Sequence, residues 1–356
     1  VAVDSDDNII CVGYTGSEGA GGDALVVKFD PNLTILARKR YGGASYDYIN
    51  SVVVDSSDNI ICAGYSGSEG AGVGTALVIK FDSSLSILAR KTYSGASDDL
   101  FQSVAVDSSD NIICAGYTTS EGAGGYDGLV VKFDSSLSIL ARKTYSGASD
   151  DLFQSVTVDS SDNIICVGYT DSEGAGGPDA LVVKFDSNLA ILARKRYGGS
   201  GDDRFYSVVV DSSDNIICAG FTLSEGAGGP DALVVKFDSN LAILARKIYG
   251  GTSEDYFYNV VVDSSDNIIC IGYTGSFNPE NYDGLVMKLP SAIPSGTFTG
   301  SVLTGLTLAD STLTLADSAL TLADSALTLA DSALTLADSA LTLADSALTQ
   351  ESDILD

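Results

Sequence analysis

The sequence predicts an all-β fold assembled from tandem four-stranded units, and three observations carry that prediction. A phrase of the form "VDSSDNIICAGYT" (Val106 to Thr118) recurs from Val3, Val54, Val158, Val210 and Val262. Its asparagine stands at Asn8, Asn59, Asn111, Asn163, Asn215 and Asn267, spaced by 51 residues once and by 52 thereafter. Each repeat carries four short apolar runs divided by turn residues, with no helical period in any of them. A chain of 356 residues that is 45% hydrophobic can bury a substantial core.

The repeat beginning at Ser155 shows the elements in order. "SVTVD" is a nearly continuous apolar run, as a strand covered on both faces requires. "NIICVGYT" follows an Asp-Ser-Ser-Asp turn, "ALVVKFD" follows a glycine-rich loop, and "LAILARKRYG" follows a Ser-Asn turn. A period near 50 with four strands per unit predicts a β-propeller blade. Six such blades span residues 1–289. The basic fourth strand occurs only five times, because Leu289 runs into Pro290. An uncovered edge invites aggregation, so the sixth blade is expected to be completed by "GTFTGSV" (residues 296–302) or by an upstream segment. Residues 290–305 are accordingly a linker or a closing strand.

Stretches such as "DALVVKFDSNLAILARKRYGGSGDDRFYSVVVDSSDNIICAGFT" resemble the SBBP-type β-propeller repeat, over Val1 to about Leu289. The resemblance implies a propeller scaffold and a secreted or surface location, and it implies no chemistry. The chain departs from the pattern at the turn, where Asp58, Asp110 and their counterparts replace a glycine. That exchange requires Asp to accept a left-handed backbone.

Cys11, Cys62, Cys114, Cys166, Cys218 and Cys270 occupy one site in six units, so a blade-to-blade step separates them where a disulfide needs Cα atoms about 5.5 Å apart. They read as small buried hydrophobes, unpaired. Six free thiols fit a reducing or anaerobic setting or complete burial. The chain has no histidine and no Cys-x-x-Cys, which removes the usual zinc sets.

A formal charge of −29 repels nucleic acid and anionic membranes at long range. No apolar run approaches the roughly 20 residues of a membrane span, and no signal-peptide pattern opens the chain. With no methionine at position 1, the expectation is a removed leader or a piece of a longer product.

If blade strands alternate in direction, the loops fall on two faces, and the face holding "TDSEGAGGPD" and "YGGSGDDRFYS" is the richer. Its candidate ligand residues are Glu121, Asp150, Asp151, Glu173, Asp202, Asp203, Arg204, Tyr206, Glu225, Glu254, Asp255 and Tyr256. Differences between repeats also gather there: Leu100 and Leu152 give way to Arg204 and Tyr256, and Gln102 to Tyr206 and Tyr258. Two readings stay open. The carboxylates cap backbone N–H groups beside the glycine turns, or they bind calcium, which takes about 6 to 8 oxygen donors. The capping reading is the simpler one. No other cofactor is expected. Catalysis would rest on carboxylates or tyrosines alone.

From Leu306 to about Thr349 the chain repeats "LTLADSA" with aspartates every seven residues, and an acidic tail follows at residues 350–356. On a helix the Thr, Asp and Ser positions share one arc of about 100°. Ala316, Ala323, Ala330 and Ala337 then form a seam flanked by leucines such as Leu320 and Leu327, an arrangement suited to self-association. A β-stacked or disordered segment are the competing readings.

Together these features predict a non-catalytic extracellular or cell-surface structural or binding protein. It would be self-associating, with a surface glycan or a protein as ligand and with no nucleic acid partner. A filament subunit and a carboxylate-based carbohydrate enzyme are the alternatives.

Overall fold

The computed structural model describes residues 1–17, 21–70, 74–174, 176–276, 282–293 and 298–299. The heptad positions Ala316, Leu320, Ala323, Leu327, Ala330 and Ala337 and the 350–356 tail lie outside them. Among the described residues every regular element is a strand. The strands form six sheets in sequence order, antiparallel within each repeat. The third sheet is typical: Asp99–Val106, Ile112–Thr118, Asp127–Phe133 and Ile139–Tyr145, paired in that order. The described part of the chain is thus all-β and propeller-like, a tandem array of blades with four strands in each of the first five repeats and three in the sixth.

First strands are longer than the sequence suggested. They begin at Asp47, Asp99, Asp151, Asp203 and Asp255, so Arg204, Tyr206 and Tyr256 stand on strands and not in loops. A bulge in this strand, between Phe153 and Ser155 in the fourth sheet, explains why alternation was hard to follow. The bulge also fixes a glycine in the second strand. A Cβ at Gly116 would sit 1.9 Å from the Leu100 carbonyl oxygen, and Gly168 and Gly220 face the same contact.

Both hairpin turns of a repeat are built on an aspartate. Asp55 Oδ1 accepts from the N–H groups of Ser57 and Asn59 at 3.0 and 2.9 Å, and Asp58 takes φ 60°. The left-handed aspartate demanded by the missing glycine is therefore present, as it is in all six copies. In the second turn Asp134 Oδ1 caps Ser136 and Ser138, and Leu137 takes φ 66°. A left-handed leucine costs about 1 to 2 kcal/mol. Its side chain offsets this by burying itself, 3% exposed, against the preceding sheet.

The core lies between sheets. Third strands Thr75–Phe81, Asp127–Phe133, Asp179–Phe185 and Asp231–Phe237 are buried at every position, because each sheet is sandwiched by two neighbours. One face looks toward the next repeat: Ile61, Ala63 and Val78 in the second sheet. The other looks toward the previous one: Phe101, Cys114, Val131, Phe133 and Leu137 in the third. We call these the leading and trailing faces. Phe101 and Phe133 meet edge to face at 6.3 Å within the trailing face. The cysteines are unpaired, and five of the six are buried, with burial pushing the Cys270 thiol up to about 12. Cys11 is the exception; it is partly exposed.

Consecutive sheets pack in this way from first to sixth, and among the described residues no comparable contact joins the sixth to the first. Among those residues one apolar face of each of these two sheets is left uncovered. Leu33, on the trailing face of the first sheet, is 67% exposed, and Ile271 and Val286, on the leading face of the sixth, are each 46% exposed. The sixth sheet has three strands, as its sequence predicts. Of the segment expected to complete it, Phe298 and Thr299 are described, and they pair in parallel with Tyr249 and Gly250 of the fifth sheet instead. The outer strand of the fifth sheet offers them its edge.

Candidate functional site

The predicted acidic residues are drawn into braces between sheets. Tyr93, ending the fourth strand of the second sheet, donates its hydroxyl to Glu121 Oε1 of the third at 2.8 Å. Arg142 Nη1 donates to the same Tyr93 oxygen at 2.7 Å and pairs with Glu121. The arrangement repeats as Tyr145 with Glu173 and Arg194, and as Tyr197 with Glu225 and Arg246. Burial and the Glu121 carboxylate together push the Tyr93 phenol up to about 12. The hydroxyl stays a donor, and the glutamate is committed to it.

The strand-opening aspartates act as caps. Asp203 Oδ2 accepts from Ser224 Oγ at 2.5 Å and from Gly199 N–H at 3.1 Å. Asp255 Oδ2 does the same with Ser276 and Gly251, and Asp151 Oδ2 accepts from Ser172 at 2.8 Å. All three are fully buried. Their partners are fixed by the sharp Gly-Gly or Ser-Gly turn four residues earlier, which aims N–H groups back at the carboxylate. Asp150 Oδ1 accepts from Tyr126 N–H at 3.0 Å, and Glu254 Oε2 from the Tyr282 hydroxyl at 3.2 Å. Among the described residues no three metal-ligating side chains gather at one point. Each of these aspartates and glutamates accepts at least one hydrogen bond.

Sequence reasoning missed the aspartates that open the third strands. Asp127 and Asp231 are buried beside Asp151 and Asp255 of the next sheet, and burial with that like charge pushes both up to about 6. Asp127 Oδ1 has no hydrogen-bond partner. In the fourth sheet Arg196 Nη1 answers Asp179 at 2.6 Å. Also missed was the lysine of the third strand. Lys132 Nζ reaches Asp107 of its own sheet at 2.8 Å and donates to the Ser187 carbonyl of the next sheet at 3.0 Å, with both side chains buried. A lysine near the end of an apolar strand, with an aspartate 24 or 25 residues earlier in every repeat, was the available signal.

The residues that vary between repeats do come together. Arg204 pairs with Asp202 through two contacts of 2.8 Å and lies 4.1 Å over the Tyr169 ring. Tyr206 lies tilted against Phe221 at 5.7 Å and against Tyr258 at 5.3 Å. Tyr256 lies parallel to Tyr258 and within 5.0 Å of Tyr273, which in turn meets Tyr282 edge-on at 4.8 Å. Tyr258 and Tyr282 remain mostly exposed. The patch spans the fifth and sixth sheets and offers ring faces with hydroxyls at their rims, a chemistry that holds sugar rings or protein side chains.

The chain matches no protein-family model and no curated protein. Solved structures with a similar chain trace include a protein of unknown function from Bacteroides caccae (9% identity, covering 81% of this chain and 92% of that one, TM-score 0.48). The Pan2 WD40 domain of Neurospora crassa is similar at 12% identity, covering 84% and 91%, with a TM-score of 0.46. The WD40 β-propeller domain of Doa1 is similar at 12% identity, covering 79% and 94%, with a TM-score of 0.40.

Proposed function

We propose that this chain is a non-catalytic structural and binding protein of the extracellular or cell-surface kind. Six propeller blades form its scaffold, and the heptad segment, as a helical bundle, gathers several copies. The observation that carries this reading is a division of labour among the residues singled out in the sequence. Residues common to the repeats are consumed in braces and caps, whereas the divergent Tyr206, Tyr256 and Tyr258 gather into one partly exposed aromatic patch. A fixed frame with one variable patch suits recognition of a surface glycan or protein. The SBBP-type residue pattern supports the location.

Affinity electrophoresis of the full chain through a panel of polysaccharides tests the reading, with a reducing-end assay on the same samples. Retardation that Tyr258→Ala abolishes, without release of reducing ends, is expected. Release of reducing ends would make the chain an enzyme and overturn it. The heptad part has its own test. Deletion of residues 306–356 should lower the mass seen by light scattering, and Ala323→Glu with Ala330→Glu should do the same while Ser325→Glu with Ser332→Glu should not.

A further inference from the structure

We propose that calcium binds between neighbouring sheets at two places, each held by the aspartate that opens a third strand and the aspartate that opens the first strand of the next sheet: Asp127 with Asp151, and Asp231 with Asp255. Both pairs lie inside closed interfaces between described sheets. The inference does not depend on the aromatic patch or on the heptad segment.

The repeats differ in how they answer a carboxylate at this place. In the first and fourth it is Asp23 or Asp179, and the neighbouring fourth strand supplies Arg40 or Arg196, paired with it at 3.0 and 2.6 Å. In the second both positions are threonine, Thr75 and Thr92, so no charge is enclosed. The third and fifth repeats keep the aspartate but not the arginine: Thr144 stands across from Asp127, and Ile248 across from Asp231. Asp127, Asp151, Asp231 and Asp255 are 0 to 2% exposed. Neither Asp127 nor Asp231 meets a lysine or arginine among the described residues. Asp127 Oδ1 and Asp255 Oδ1 also lack a hydrogen-bond partner. A buried carboxylate pair without a counter-charge is strongly disfavoured. These two interfaces therefore call for a cation from outside the chain.

The carboxylates share one pose. In Asp127, Asp179 and Asp231 alike, Oδ2 turns toward a positive-φ glycine of the preceding loop, Gly122, Gly174 or Gly226, which leaves no room for a Cβ. Ala227 N–H donates to Asp231 Oδ2 at 2.8 Å. With Oδ2 held there, Oδ1 looks toward the next sheet. A Cβ at Gly198 would stand 2.2 Å from Asp179 Oδ1 and 2.6 Å from Asp203 Oδ2, and one at Gly42 would stand 2.3 Å from Asp23 Oδ1 and 2.8 Å from Asp47 Oδ2. Carboxylate oxygens of two sheets thus converge on one point. Gly250 keeps that point open in the fifth repeat, against Asp231 Oδ1, and the exposed Ser146 stands there in the third. In the fourth repeat the place lies in a cavity lined by Gly174, Asp179, Arg196, Gly198, Gly199 and Ser200, a way in from the loops. Hard oxygens that converge at such distances suit calcium, with loop carbonyls and water completing the shell. Burial and the like charge opposite hold Asp127 and Asp231 up at about 6, so a proton takes the ion's place in chelated protein.

Calorimetric titration of calcium alone into the chelated full chain at neutral pH tests the proposal. Binding is expected, and Asp127→Asn and Asp231→Asn should each remove about one ion per chain. Thr144→Arg and Ile248→Arg copy the arrangement of the first and fourth repeats, placing a guanidinium against the same two aspartates. Each should also remove about one ion per chain. Thr144 is half-buried, so Thr144→Arg keeps the test open if the arginine at the buried Ile248 position prevents folding. Calcium should raise the melting temperature of the unaltered chain by mass action and leave that of the double arginine variant unchanged. No binding at millimolar calcium would overturn the proposal. Binding undiminished in folded arginine variants would overturn it too, by placing the ion on carboxylates outside these interfaces.

Discussion

The four middle sheets and the two end sheets are written in nearly the same words, yet they are buried differently. Phe133 is fully buried, whereas Phe29, at the same place in the first sheet, is only half-covered. Lys132 and Lys288 make the same ion pair, one at 7% and one at 59% side-chain exposure. The contrast teaches that the unit of stability in this molecule is the interface between two sheets, not the sheet. A blade's sequence supplies two half-interfaces, and its neighbours decide what they are worth. This is the nearest-neighbour logic of repeat proteins.

The largest effect should appear where the two regions are compared by truncation. Phe133→Ala removes a ring from a closed interface and is expected to cost about 3 to 5 kcal/mol. Phe29→Ala, at the open end, should cost less than half as much. Urea unfolding of the two variants side by side checks this, and equal losses would break the comparison.

Removing the buried lysine should come next. Lys132→Ala leaves Asp107 buried without its cation, a loss of about 3 to 5 kcal/mol at a well-enclosed site. Lys288→Ala frees an exposed pair worth about 0 to 1 kcal/mol. Thermal melts of both variants distinguish a graded array from a uniform one.

How much of this was legible follows the same boundary. Period, strand number and turn aspartates could be read because each depends on contacts inside one repeat, and the buried character of most cysteines because they stand in apolar strands. Lys132 drew no expectation from the sequence, because its second partner, the Ser187 carbonyl, lies 55 residues away in the next sheet. Glu121 looked free because Tyr93 lies 28 residues before it. Leu137 could not be recognised as left-handed, since only its packing on the second sheet holds it there. Cys11 was read as buried like its five counterparts, but it lies on the side of the first sheet that no other described sheet covers.

The pH response should be smaller and two-sided. Asp127 and Asp231 are raised to about 6, so the neutral carboxyl is favoured by the fold. The stabilisation from this is complete below the unfolded value of about 3.9 and is lost as pH rises through about 6. Asp4 is held down to about 2: burial opposes this, but hydrogen bonds from Lys28 and Asn8 outweigh it. Its contribution is present above about 3.9 and is lost as pH falls through about 2. The melting temperature should therefore rise from pH 7 toward about 4 and fall below it. Asp127→Asn with Asp231→Asn should flatten the upper limb, and an unchanged limb would show that these carboxyls titrate normally in the fold.

The braces should matter least. Arg142 is half exposed, so Arg142→Ala is expected to cost less than about 1 kcal/mol although it cuts two contacts. A loss comparable to that of Lys132→Ala would place the loop-face networks among the main supports of the array.

The central claim, that stability resides in the interfaces and declines toward the first and sixth sheets of this chain, is tested most directly by native-state hydrogen exchange on dispersed chains. Amides of the third strands Thr75–Phe81, Asp127–Phe133, Asp179–Phe185 and Asp231–Phe237 should exchange most slowly. Those of Ile9–Thr15 and Asp283–Leu289 should exchange faster by at least about tenfold, through local opening of the end sheets. Equal protection in all six sheets would contradict the account, because it would mean that the first and sixth sheets are covered as fully as the rest.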